Sequence, residues 1–191
     1  MTPCKPLSEV DFIRGWFDEA NPLWDQLIDF HTLPTTRRTA GLHGLVNKPE
    51  VKSSTDSKCT DLKLFTSYQA HIAKCVDLYC KDYPEAANNG AFGFQESFNI
   101  QHYAPGQGFF TWHSERAQHN PKTIRRHLVF MTYLNTVSDG GYTEFKFQNI
   151  RVQPQKGLTL IWPADWTWTH RGITSPTEHK YIATGWLGFT E

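Results

Sequence analysis

Leu128-Val129-Phe130-Met131-Thr132-Tyr133-Leu134 is an apolar, aromatic-rich run, and Ser138-Asp139-Gly140-Gly141 just after it is a turn signal. A run of that length between turn residues predicts a buried strand. The same texture begins near residue 91, with Phe92, Phe94, Phe98 and Ile100, and further turn signals stand at Pro105-Gly106-Gln107-Gly108, Pro154-Gln155-Lys156-Gly157 and Thr174 to Glu178. Turns at these spacings are typical of an all-β sandwich or barrel. Upstream the pattern is helical. Ser8-Glu9-Val10-Asp11 is a capping box that predicts a short helix carrying Phe12, Ile13 and Phe17, and Asn21-Pro22 opens a second. Asp61 caps a third running to about Tyr83, because Phe65, Tyr68, Ile72, Cys75, Val76 and Tyr79 recur at helical spacing and Pro84 follows. Residues 32–62 look like loops with at most one strand. The expectation is mainly β with N-terminal helices, about eight short strands closing into a jelly roll with the helices covering one sheet. A single domain spans 1–191 in this account, about 1–90 being helical support and loops and about 91–191 the β core.

Composition excludes several classes of partner. Nineteen basic and nineteen acidic residues give zero formal net charge, so no global field draws the chain to nucleic acid or an anionic membrane. Apolar runs such as Gly157-Leu158-Thr159-Leu160-Ile161-Trp162 are far shorter than the roughly 20 residues a spanning helix needs. Met1 to Arg14 shows no basic stretch followed by an apolar core, so a cytoplasmic location is expected. Cys4, Cys59, Cys75 and Cys80 form no Cys-x-x-Cys pair and read as free thiols. Oligomeric state is not legible at this level.

Chemistry concentrates at His113-Ser114-Glu115. On a strand, residues i and i+2 share a face, so His113 and Glu115 would project together. Nine His and nineteen acidic residues give about one His-x-acid by chance, so the pair alone is weak. A second histidine from a distant strand would complete two imidazoles and a carboxylate, the facial set that suits iron(II) and leaves coordination positions open. Fifty-five residues after Glu115, the segment Trp162-Pro163-Ala164-Asp165-Trp166-Thr167-Trp168-Thr169-His170-Arg171-Gly172 supplies one, and Lys180 follows ten residues later.

This layout resembles the prolyl-4-hydroxylase-like branch of the 2-oxoglutarate dioxygenases, a double-stranded β-helix family, over roughly Asn99 to Phe189. The resemblance lies at Tyr103-x-x-Gly106, His113-x-Glu115, Tyr133-Leu134-Asn135, Gly140-Gly141-x-Thr143-Glu144-Phe145, Pro154-x-x-Gly157, and His170 with Lys180. It implies that His113, Glu115 and His170 bind Fe(II), that 2-oxoglutarate chelates the metal through its 1-carboxylate and 2-keto oxygens, and that O2 takes the remaining position. Lys180 would then pair with the distal carboxylate, with Tyr133 and Tyr103 donating phenolic protons. The family more often has Asp where this chain has Glu115, so backbone or rotamer must adjust. Retention of a carboxylate there favours hydroxylation over halogenation.

The substrate that the resemblance suggests is a prolyl residue in a peptide or protein. The same core elsewhere acts on free amino acids, nucleotides and small metabolites, and a non-catalytic jelly-roll module is the alternative of another class. Trp112, Trp168 and Trp186 flank the site as candidate pocket walls; by alternation Trp168 shares a face with His170. Arg116 is a candidate substrate contact within a basic stretch, Arg116, Lys122, Arg125 and Arg126, that otherwise reads as a solvated loop.

Overall fold

The computed structural model describes residues 2–3, 11–42, 47–116 and 121–190, with the backbone alone for Thr2, Pro3, Pro121 and Lys122. In chain order the elements begin with β1 (Thr2–Pro3), β2 (Arg14–Phe17), α1 (Leu23–Thr32), β3 (Thr39–Ala40), β4 (Lys52–Ser53), β5 (Thr55–Lys58), α2 (Leu62–Asp82) and α3 (Glu85–Asn88). The remainder is β6 (Phe92–Phe94), β7 (Asn99–Tyr103), β8 (Gly108–His113), α4 (Pro121–Ile124), β9 (Arg126–Tyr133), β10 (Thr143–Phe145), β11 (Ile150–Val152), β12 (Leu158–Pro163), a 3-10 turn (Trp166–Trp168), β13 (His170–Gly172) and β14 (Lys180–Phe189). They form two antiparallel sheets. The larger runs β1-β2-β12-β9-β14-β7-β5-β3 with β6 also on β14, and the smaller runs β11-β10-β13-β8-β4.

Strand β9 shows how alternation builds the jelly roll. Leu128 and Phe130 face the helices and pack with Trp24, Leu27, Tyr68 and Ile72, while Val129, Met131 and Tyr133 face the smaller sheet and pack with Phe145, Val152 and Trp162. The helices thus cover one face of the larger sheet. The opposite, concave face looks toward the smaller sheet. Asp61 caps α2 as expected, its Oδ1 accepting the Leu64 N–H at 2.9 Å, and Asn21 Oδ1 accepts the Leu23 N–H at 3.0 Å at the start of α1. No helix among the described residues is long and apolar enough to cross a membrane.

Two expectations are corrected. The helix predicted from the Ser8 capping box does not run through Phe17: residues 4–10 lie outside the described residues, and Arg14–Phe17 is strand β2, paired with β12 from Arg14↔Ile161 to Phe17↔Leu158. Sheet pairing and burial of Trp16 override a local pattern too short to be decisive. Within residues 32–62, three short strands replace the expected loops, and β5 (Thr55-Asp56-Ser57-Lys58) escaped detection because its inward face borders an open cleft and is polar.

One turn requires glycine. Gly140 and Gly141 have φ of 77° and 71°, and a Cβ on Gly140 would stand 2.5 Å from the Thr174 carbonyl oxygen. This turn aims the Gly141 carbonyl at the Lys180 ammonium, 3.0 Å away.

Candidate active site

Register creates the core of the site. His113 ends β8 and His170 opens β13, and the two are direct cross-strand partners, which brings their ring centroids to 4.4 Å. Glu115 lies two residues past the end of β8, anchored where the Glu115 and Arg116 N–H groups both donate to the Ala164 carbonyl at 3.2 and 2.9 Å. Its Oε1 is 3.5 Å from Nε2 of each histidine, and one ligand atom from each of the three residues falls within 4.8 Å of the others.

The surrounding contacts orient each donor. His113 Nδ1 lies 3.0 Å from the Thr111 carbonyl and His170 Nδ1 lies 2.9 Å from that of Trp168. A carbonyl can only accept, so each Nδ1 carries the proton and each Nε2 presents its lone pair to the shared space. Burial, then the neighbouring His170, lowers the His113 pKa and favours the neutral ring a metal needs. Burial alone would raise the Glu115 carboxyl, but hydrogen bonds from and charge on His113 and His170, when those rings are protonated, outweigh it and hold the group well below the usual carboxylate range; with neutral rings that pull is left for a bound cation. The far oxygen, Oε2, accepts from Trp186 Nε1 at 2.9 Å and from Arg126 at 3.2 Å. Arg126 is itself forked onto Glu96 at 2.8 and 3.0 Å and lies 3.4 Å from the Trp186 ring centroid. The longer arm of glutamate is therefore pinned on one oxygen while the other faces the histidines. Phe109 stacks on His113 at 3.6 Å, and Trp162 meets His170 edge-on at 5.2 Å.

Deeper in the same cavity, Lys180 is only 4% exposed. Burial lowers its pKa to about 8. Its ammonium donates to the Gly141 carbonyl and lies 4.8 Å from the Tyr103 ring centroid, and no carboxylate pairs with it among the described residues. A buried lysine with three donors and one acceptor calls for an anion. The Trp162 indole N–H, buried in the same wall, also has no acceptor among the described residues. The donor set fits a divalent metal beside a small dicarboxylate: two neutral imidazoles and a carboxylate at one end, an uncompensated ammonium at the other.

Of the residues singled out from sequence, His113, Glu115, His170, Lys180, Tyr103 and Trp186 all line one cleft of about 1510 Å³. Tyr103 directs its hydroxyl to Gln101 Oε1 at 2.6 Å. Four others lie elsewhere. Tyr133 is buried between the sheets and donates to Thr143 Oγ1 at 2.6 Å, so Thr143, not the phenol, meets the cavity. Trp168 falls in a 3-10 turn, Trp166–Trp168, which breaks the period of two; its indole donates to the Asp11 carbonyl at 2.6 Å. Trp112 points to the outer face of the smaller sheet, under the Arg171 guanidinium at 4.3 Å. Arg116 is tied to the Arg126 carbonyl and to Asp165 and does not line the cleft. Sequence reasoning passed over Thr143, although it sits inside the Gly140-Gly141-x-Thr143 motif. It also placed Arg126 in a solvated loop, where the side chain is in fact 11% exposed and doubly ion-paired. Its partner Glu96 is thirty residues away, beyond any local pattern.

Comparison with known proteins agrees with this geometry. Residues 98–188 match the model of the 2OG-Fe(II) oxygenase superfamily. Two Arabidopsis thaliana proteins are similar: probable prolyl 4-hydroxylase 9, 28% identical over 116 residues (48% of this chain, 40% of that protein), and prolyl 4-hydroxylase 13, 25% identical over 118 (49% and 43%). The matched stretch is thus less than half the length of either relative. The fold is shared with the viral collagen prolyl hydroxylase of Paramecium bursaria chlorella virus-1 at a TM-score of 0.70, 17% identity and coverage of 95% of this chain and 98% of that one. It is shared also with a Pseudomonas putida prolyl-4-hydroxylase, at a TM-score of 0.69 and 14% identity over 95% of both chains. A Trichoplax adhaerens prolyl hydroxylase gives a TM-score of 0.74 at 14% identity, covering 94% of this chain and 84% of that one. The matching span, just under half of the chain, carries both histidines, Glu115 and Lys180 on a jelly roll, and over it the chain is similar to the 2OG-Fe(II) oxygenase superfamily and to prolyl 4-hydroxylases.

Proposed function

We propose that this chain hydroxylates a prolyl residue in a peptide or protein, using iron(II), 2-oxoglutarate and O2. The observation that carries this reading is one cavity holding a His-Glu-His cluster at one end and a buried lysine without a counter-ion at the other. His113, Glu115 and His170 would hold the metal, and Lys180, with Thr143 beside it, would take the distal carboxylate of 2-oxoglutarate. Bound there, the metal and cosubstrate would supply the oxidising power, with 2-oxoglutarate giving up CO2 and taking one oxygen atom of O2 to become succinate and the other oxygen atom entering a substrate C–H bond. The chain's own share is placement. Thr111 and Trp168 carbonyls keep both Nε2 atoms unprotonated, Trp186 and Arg126 set the carboxylate, Phe109 and Trp162 wall the cavity against water, and Phe145 packs on His170 from the core. The peptide substrate is supported by the prolyl hydroxylase relatives, one of which was solved with a hypoxia inducible factor peptide fragment.

The test is to add Fe(II) and then 2-oxoglutarate anaerobically to the purified protein and record the visible spectrum. A weak charge-transfer band that needs both components, and is lost in His170→Ala, is expected. Folded, metal-loaded protein without such a band would overturn the dioxygenase reading in favour of a binding module.

A further inference from the structure

The cleft is much larger than a metal and a five-carbon diacid require, and its remainder has a definite chemistry. Its floor is the concave face of the larger sheet, continued outward in rows across successive strands. Ile182, Gln101, Asp56 and Thr39 form one row, and Thr184, Asn99 and Lys58 another. The far wall is the segment from the end of α1 to β3, with Phe30, Leu33, Arg37 and Leu42. Leu33 and Leu42 are 48% and 47% exposed, so this wall offers apolar surface to solvent.

Charge in the cleft is unbalanced. Five cationic side chains line it (Arg37, Lys52, Lys58, Arg126 and Lys180) against three carboxylates (Asp56, Glu96 and Glu115), while Arg171 borders it but turns its guanidinium to the outer face. A divalent metal and the 2-oxoglutarate dianion cancel each other, so two positive charges remain uncompensated in a chain whose total is zero. Lys52 is paired with Asp56, Arg126 with Glu96 and Glu115, and Arg171 with Glu144 outside the cleft. Arg37 and Lys58, both exposed, have no ion-pair partner among the described residues. Beside them β3 ends the larger sheet. Its outer edge pairs with no strand among the described residues, and both of its residues are exposed. An unpaired edge of this kind offers backbone donors and acceptors to an extended chain.

We propose that this outer cleft binds an extended, acidic stretch of the substrate polypeptide flanking the reacting residue, with its carboxylates on Arg37 and Lys58 and its apolar side chains against Leu33 and Leu42. The proposal rests on the dioxygenase reading for the position of the reacting residue. Lys58 lies two strand spacings from β14, roughly 10 Å, and Thr39 lies three, roughly 14 Å. An extended chain rises about 3.3 Å per residue, which places the acidic residues roughly three to four positions from the residue over β14. A polynucleotide fits the same charge less well, since the far wall is aliphatic and carries few rings for bases to stack on.

The test measures binding by fluorescence anisotropy, with the protein loaded anaerobically with Fe(II) and 2-oxoglutarate. Three labelled probes are compared at two salt concentrations: a proline-centred peptide with Asp three and four positions to either side, the same peptide with Lys there, and a single-stranded DNA oligonucleotide. Preference for the acidic peptide of roughly tenfold at low salt, shrinking at high salt and inverted in the Arg37→Glu/Lys58→Glu double variant, is expected. Equal binding of the two peptides, an unchanged preference in the variant, or tighter binding of DNA would overturn it. The charge-transfer band is read in the same samples. A band without acidic preference removes only this inference, while a missing band removes the metal-site reading whatever the peptides do.

Discussion

Replacing Trp186 with Phe keeps a ring under the Arg126 guanidinium, which lies 3.4 Å from the indole centroid, but deletes the N–H that meets Glu115 Oε2 at 2.9 Å. A hydrogen bond to a charged acceptor contributes about 1.5–3 kcal/mol. Glu115 is partly buried and keeps the 3.2 Å contact to Arg126, so the loss belongs near the lower end, about 1.5–2 kcal/mol. That corresponds to roughly 10–30-fold weaker metal binding, within the range known for partners that orient metal ligands. The assay is competition of Co(II) against a coloured chelator, with the d–d absorption of bound Co(II) reporting coordination and thermal unfolding of the metal-free protein reporting folding. Metal affinity within about twofold of the parent, with unchanged apo stability, would falsify the claim that Trp186 sets the carboxylate.

Glu115→Asp, although it installs the residue commoner in this family, is expected to weaken metal binding rather than improve it. The shorter arm withdraws from Trp186 and Arg126, and the same Co(II) titration checks this. If Lys180 holds the distal carboxylate as proposed, it sets the pH dependence of cosubstrate binding. Its ammonium, with a pKa lowered to about 8 by burial, is lost from the free protein as pH rises. 2-Oxoglutarate affinity should therefore be flat below about pH 8 and fall about tenfold per unit above it, until the raised pKa of the complex is reached. Lys180→Ala should show weak binding at every pH, and equal slopes in parent and variant would remove Lys180 from this role. Tyr133→Phe should cost about 1 kcal/mol of stability, from the lost bond to Thr143, and leave the 2-oxoglutarate dissociation constant nearly unchanged. A large rise in that constant would mean that the phenol itself reaches the cosubstrate.

Several elements were legible locally because a short-range rule controls them. Asp61 with a 3.6-residue apolar pattern suffices for α2, and the apolar run at β9 with its Gly140-Gly141 turn suffices for a buried strand. His113, Glu115, His170 and Lys180 stood out as ordered pieces of one layout, and all four meet in the cleft. Trp168 failed for a definite reason: alternation was applied across a segment that is a 3-10 turn, where it does not hold. Strand β2 failed because pairing with β12, far away in sequence, outweighs an ambiguous local pattern.

By itself the sequence pointed to the jelly-roll class and, through its likeness to a known layout, to His113, Glu115 and His170 as candidate metal ligands and Lys180 as a candidate anchor for a dicarboxylate, since periodicity, turn chemistry and residue order are properties of the chain. Only the tertiary structure decided that Glu115 is held by Trp186 and an Arg126–Glu96 pair, that Tyr133 stops at Thr143, and that unpaired cations collect around an open edge strand. Those facts depend on which side chains meet across separate strands. Burial, hydrogen-bond satisfaction and charge pairing are set by contacts in space, and no pattern along the chain encodes them.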